Sequence, residues 1–174
     1  MGPKRPFLRF RLSGAIRVRV MGAHVTVLTT SAGKTDDAFR LGANDVVVTT
    51  DPAALVPLAN KLDLVIDTIS ADHDVAMYLD TLGLDGTYVH VGIPEKPLSV
   101  PAFSVIARRR NFTGARIGGL PETQEMLDFC AEHSIVADIE LISPDEINAA
   151  YERMVKNDVK YRFVIDMASL HQPA

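Results

Sequence analysis

From His24 onward, short β-branched runs alternate with longer helical segments. That alternation limits the fold more than any other feature of the chain. His24–Thr30 (HVTVLTT) is apolar, lacks Pro and Gly, and reads as a buried strand. Lys34–Leu41 reads as a helix closed by Gly42. Asp45–Thr49 is the next strand, and Pro52–Lys61 fits a helix with Asp51 as cap and Pro52 in its first turn. Leu62–Asp67, Thr87–Val91 and Asn111–Ile117 supply three more strands, with a helix over His73–Leu82. The tail continues as helix Glu122–His133, strand Asp138–Ile142, helix Pro144–Lys156 and strand Tyr161–Asp166. Strands separated by helices of this length build right-handed βαβ units, and so a parallel sheet covered on both faces. The expected fold class is α/β, a doubly wound parallel sheet.

No uncharged apolar run approaches the ~20 residues of a membrane-spanning helix. The single cysteine, Cys130, excludes an intrachain disulfide and a cysteine-rich zinc site, and points to a reducing, cytoplasmic compartment. It shares a helix face with Met126, Leu127 and Phe129, which reads as core rather than nucleophile. The net charge of −4 hides a sharp break. Residues 1–20 hold Lys4, Arg5, Arg9, Arg11, Arg17 and Arg19 and no acid, leaving 12 basic against 22 acidic side chains in the remainder. Such a start is compatible with a nucleic-acid or membrane arm, with a transit leader, or with foreign sequence joined to a domain.

Ligands of a doubly wound sheet bind at the carboxyl ends of its strands. The end of the His24 strand reads Thr29-Thr30-Ser31-Ala32-Gly33-Lys34, where an NAD-selective domain carries an acid for the ribose. Hydroxyls and a lysine suit a 2′-phosphate, hence NADP. The competing reading is that Ser31 or Thr35 caps a helix and Lys34 is solvated, and taken alone that use is the commoner. No Gly-x-Gly-x-x-Gly occurs, and His24, His73, His90, His133 and His171 lack metal-ligand spacing. Arg108-Arg109-Arg110 reads as a solvated charge run.

Taken together, Gly22–Ser31, Lys34, Arg40–Ala43, Asp67–Ser70, Val91–Pro94, Ile117–Gly119, Glu122–Leu127 and Tyr161–Asp166 resemble zinc-type medium-chain alcohol dehydrogenases of the cinnamyl-alcohol, NADP-dependent type. The resemblance runs from Gly22 to about Leu170 and implies a Rossmann-like domain. By position it implies that Thr30, Ser31 and Lys34 hold the 2′-phosphate and that Thr68 and Ile69 flank the adenosine half. It further implies that Val91, Gly92 and Ile93 receive the nicotinamide carboxamide, that Ile117 lies near the ring, and that Arg162 lies near the phosphates. Ala115-Arg116 departs from the serine and apolar residue usual in relatives.

The resemblance also implies a catalytic zinc domain, a first strand, a glycine-rich turn and a first helix upstream of Gly22, none of which is found here. The expected layout is therefore a foreign basic segment over 1–20, a partial NADP-binding domain over 21–170 and a tail over 171–174. The function implied is the truncated cofactor part of a zinc-dependent, NADP-linked alcohol dehydrogenase, weak in NADP affinity, without catalytic residues or zinc ligands, and inactive alone. The rival reading is a non-enzymatic nucleotide-binding or regulatory module with a basic arm; nucleic acid is disfavoured as a partner, because the arm carries no recognisable motif. Members of this family often dimerise through this domain, so a homodimer through the sheet edge is expected. Ala15–Val20 (AIRVRV) is expected to pair antiparallel with His24–Thr30 as a hairpin.

Overall fold

The structure is a computed structural model that describes residues 13–156, 158–159 and 161–171. Lys4, Arg5, Arg9, Arg11 and the 172–174 end of the tail lie outside the described residues. The chain divides into two compact units, Met1–Ile135 and Val136–Ala174.

In the first unit, helix α1 (Ser13–Val20) leads into strand β1 (Thr26–Thr29), helix α2 (Thr35–Arg40) and strand β2 (Asp45–Val48). A 3-10 segment over Pro52–Leu58 leads to strand β3 (Leu62–Asp67), helix α3 (Val75–Leu79), strand β4 (Leu82–His90), helix α4 (Ala102–Ile106), strand β5 (Asn111–Gly114) and helix α5 (Leu120–Glu132). All strand pairs are parallel: β1 with β2, β3 with β4, and β4 with β5. Among the described residues β1 pairs with no strand other than β2, so the sheet is divided between β1 and β3.

Side-chain alternation sends the strands' two faces into two cores. Val25 and Val27 pack with Ala15 of α1 and Ala38 of α2, with Leu64 and Ile66 of β3 against them. Leu28 and Val65, on the opposite faces, join Leu55, Val75, Leu79, Leu82 and Tyr88. Leu62 shares a side with Val65 because the register shifts between Leu62 and Leu64. Helices thus cover both faces, the doubly wound arrangement. Burial of a side chain such as Leu79, fully enclosed, contributes roughly 1.5–3 kcal/mol.

The hairpin expected over Ala15–Val20 does not form. Those residues are the body of α1, so a first helix does precede β1. Alternating valine and arginine suggested a strand, but tertiary context decides otherwise. Ala15 is fully buried at i and Val18 packs beside it at i+3, a helical spacing. Arg17 and Arg19 fall in the last turn, where cations complement the helix dipole. Gly22, at φ 87°, then closes the helix: its N–H donates to the Arg19 carbonyl and the Ala23 N–H to the Val18 carbonyl, the Schellman pattern. Gly42, at φ 93°, closes α2 in the same way, with Gly42 N–H to Phe39 and Ala43 N–H to Ala38.

Arg110 also departs from expectation. Arg108 and Arg109 are exposed, but the Arg110 guanidinium is buried. Its Nε donates to the Leu82 carbonyl at 3.0 Å, Nη1 to Ser104 O at 2.7 Å and Asp80 Oδ1 at 3.0 Å, and Nη2 to Asn60 Oδ1 at 2.9 Å. Five donors in a planar fork let one side chain tie β4, α4 and the turn before β3 together.

The second unit holds strand β6 (Glu140–Ile142), helix α6 (Ile147–Val155) and strand β7 (Phe163–Ile165), with β6 and β7 parallel. Arg153 of α6 donates to Glu140 Oε2 at 2.7 Å and to Asp158 Oδ2 at 3.1 Å, and its guanidinium carbon lies 4.8 Å from the Phe163 ring centre. Among the described residues no helix is long and apolar enough to cross a membrane. Cys130 is buried on α5 with its Sγ 3.7 Å from Met126 Sδ, whereas Leu127, expected on the same core face, is 52% exposed.

Candidate functional site

Parallel pairing brings the carboxyl ends of β3, β4 and β5 to one edge, and two of the loops there are fastened to each other. The Asp67 carbonyl, at the end of β3, accepts from the N–H groups of Val91 and Gly92 at 2.8 and 3.2 Å. The Ile93 N–H donates to Ser70 Oγ at 3.2 Å, and Lys96 forms an ion pair with Asp72. The backbones approach so closely that a Cβ on Gly92 would lie 1.9 Å from the Ile69 carbonyl oxygen. Only glycine fits there.

The structure therefore brings Thr68, Ile69, Val91, Gly92 and Ile93 together. Ile93 is 78% and Ile117 87% exposed, the latter in the loop from β5 to α5. Thr30, Ser31 and Lys34 form another corner, at the end of β1. Thr30 and Lys34 are exposed, and Ser31 is half-buried ahead of a 3-10 turn over Ala32–Lys34. The Ser31 side chain makes no capping hydrogen bond, and none caps α2 from Lys34, so capping does not account for these residues. The Ser31 backbone N–H instead donates to Thr29 Oγ1 at 3.1 Å. Arg162 belongs to the second unit, exposed just before β7, where its carbonyl accepts from the Glu140 N–H at 3.0 Å.

One constellation is not visible in the spacing of the sequence. Asp67 is 1% exposed and faces His90 across the β3–β4 register. Its Oδ2 accepts from the Tyr88 hydroxyl at 2.7 Å and lies 3.0 Å from His90 Nδ1 and 2.8 Å from His73 Nε2. Its Oδ1 accepts from the Ile69 N–H at 2.9 Å. Tyr88 and His90 reach the same carboxylate because residues two apart on a strand share a face. A strand ending in Asp beside a strand ending in Tyr-x-His was the available signal.

Residues 15–132 match a family described as zinc-binding dehydrogenase, and this match spans well over half the chain. The chain belongs to the zinc-binding dehydrogenase family. This zinc-binding dehydrogenase chain is 55% identical over 152 residues to the NADP-dependent alcohol dehydrogenase C 1 of Mycolicibacterium smegmatis, covering 87% of itself and 44% of that protein. It is 47% identical over 156 residues to a probable cinnamyl alcohol dehydrogenase 9 of Arabidopsis thaliana, covering 89% of itself and 43% of the relative. Its structure superposes on a cinnamyl alcohol dehydrogenase from Sorghum bicolor with a TM-score of 0.87 at 40% identity, covering 95% of this chain and 49% of that one. A Helicobacter pylori enzyme solved with NADP(H) gives a TM-score of 0.79 at 31% identity, with 97% of this chain and 49% of that one covered. The chain thus spans about half the length of the relatives it matches, and the fold is that of a Rossmann-type dehydrogenase domain.

Proposed function

We propose that this chain contributes the cofactor-binding half of an NADP-linked alcohol dehydrogenase that interconverts an alcohol and its aldehyde. The observation that carries the reading is the corner after β1. Thr30 and Lys34 are exposed, Ser31 is not spent on a cap, and no carboxylate occurs between Thr29 and Thr35. Hydroxyl donors beside an ammonium suit a 2′-phosphate dianion, whereas a bare ribose diol calls for a carboxylate. The names of the relatives support the same choice.

On this reading Thr68 and Ile69 flank the adenosine, and Ile117 lies along the nicotinamide. The N–H groups of Val91, Gly92 and Ile93 are already engaged with Asp67 and Ser70, which leaves their carbonyls to accept from the carboxamide NH2. Bound NADPH supplies the hydride. With no Gly-x-Gly-x-x-Gly in the sequence, affinity for the pyrophosphate is low.

The zinc of the family polarises the reacting oxygen, which needs an open coordination position. Among the described residues, the group of three metal-capable side chains is Asp67, His73 and His90. It does not fit that role, because its three donors are buried away from solvent and hence from a substrate. We assign no catalytic residue to the described part of this chain.

Calorimetric titration tests the cofactor reading. NADPH should bind at least about tenfold more tightly than NADH, as loss of one charge-assisted contact implies, and Lys34→Glu should erase the preference. Equal affinities, or a preference untouched by Lys34→Glu, refute it.

A further inference from the structure

We propose that Asp67, His73 and His90 bind one divalent transition-metal ion, best Zn2+, at the carboxyl ends of β3 and β4, as a structural site unrelated to the reaction. The inference does not depend on the chain's binding NADP.

The tautomers carry the argument. His73 Nδ1 lies 2.9 Å from the Ala71 carbonyl, and a carbonyl only accepts, so the proton of a neutral His73 sits on Nδ1. Its Nε2 then presents a lone pair, 2.8 Å from an oxygen of the Asp67 carboxylate. Two lone-pair atoms at that distance repel each other. A proton on Nε2 would give an ion pair with Asp67, but Nε2 is buried and makes no hydrogen bond. Ligands of a shared ion have this geometry: each points at a third point rather than at the other. An imidazole whose far N–H is held by a backbone carbonyl is also the usual state of a metal-ligating histidine.

His90 differs: its Nδ1 is hydrogen-bonded to the same Oδ2 at 3.0 Å, a contact the ion would replace, and its Nε2 is buried and unpartnered. The side chains of His73, His90 and Asp67 are 9%, 11% and 2% exposed, so water satisfies them poorly. Tyr88 and the Ile69 N–H hold the carboxylate from outside, as a supporting shell does. Two nitrogens and one carboxylate oxygen favour zinc, cobalt or nickel over magnesium or calcium. Zinc–donor distances of about 2.0–2.2 Å set tetrahedral donors roughly 3.4 Å apart, so loading opens the cluster by about half an ångström. The ion would pin the 68–74 loop to the end of β4.

The experiment titrates the tag-free, chelator-treated 174-residue chain with Co2+, followed by visible absorption, then displaces the cobalt with Zn2+. The expected result is one Co2+ per chain, with ligand-field bands that Zn2+ abolishes. Zn2+ should also move the 15N resonance of His73 Nε2. His90→Gln and His73→Asn should abolish binding, and Tyr88→Phe should weaken it about 10- to 100-fold. His24→Gln, which removes the exposed His24–Asp45 pair, should leave binding unchanged. If the ligand variants fail to fold by circular dichroism, the wild-type cobalt spectrum and the His73 resonance decide. No cobalt bands and no resonance shift, or binding that survives both ligand variants, overturns the proposal.

Discussion

Replacing Arg110 with Met keeps most of the aliphatic stem and removes the guanidinium. Two of its contacts go to main-chain carbonyls, of Leu82 and Ser104, which the variant leaves without that donor. Leu82 is fully buried and Ser104 half-buried, so water replaces the donor badly. A buried acceptor left unmade costs about 1–3 kcal/mol. Asp80 adds little, since its side chain is 62% exposed and rehydrates; a pair so placed is worth under ~1 kcal/mol. Asn60 is exposed as well. The expected loss is about 2–4 kcal/mol. In urea, with m of about 1–3 kcal/mol per molar, the midpoint should fall by roughly 1–2 M at unchanged slope. Asp80→Asn, in the same assay, should cost less than ~1 kcal/mol. An Arg110→Met loss below ~0.5 kcal/mol, or an Asp80→Asn loss equal to it, would show that the carbonyl contacts do not hold this corner.

Further outcomes follow from other sites. Gly92→Ala should destabilise by more than Gly42→Ala, measured by thermal denaturation. The first drives a Cβ into the Ile69 backbone, while the second forces alanine into a left-handed conformation at about 1–2 kcal/mol. Backbone and side-chain hydrogen bonds from Ser143 hold the Glu146 carboxyl below its ordinary pKa, with Arg153 adding to the effect. A depressed carboxyl stabilises the fold above its unfolded-state pKa, and that support is lost as pH falls through the folded value. Ser143→Ala should therefore raise the Glu146 pKa in an NMR titration; an unchanged value contradicts the assignment. The purified 174-residue chain should show no alcohol oxidation or aldehyde reduction with or without added zinc, and chelator-sensitive turnover would refute that.

Where neighbours in sequence decide the conformation, the residues were readable. Asp51 caps the Pro52–Leu58 segment through the Ala53 N–H, and Leu62–Asp67 is a strand over its full expected length. Gly42 ends α2 because it must adopt a positive φ. Local pattern failed at α1, where a two-residue alternation was overruled by burial of Ala15. It failed again at Arg110, since no charge run reveals which of its members turns inward. The Asp67 cluster was hidden for a different reason. Ligand-spacing rules recognise donors on one helix or turn, whereas His90 meets Asp67 through strand pairing and His73 through the loop that follows β3. At the β1 corner the sequence did not reveal whether Ser31 is used as a cap, because a Ser before a helical turn looks the same whether or not it caps.

The division between β1 and β3 bears on how force and heat pass through the first unit. Strands joined by a hydrogen-bond ladder share a fate, since parting them breaks directional bonds in sequence. Between β1 and β3 the described residues supply side-chain packing instead, Leu28 sharing one core with Val65, and Val25 and Val27 sharing the other with Leu64 and Ile66. Such contact is non-directional and tolerates small slides. The two-stranded part can therefore loosen while β3–β5 stays shut, and amide exchange along Thr26–Thr29 should run ahead of exchange along Leu62–Asp67.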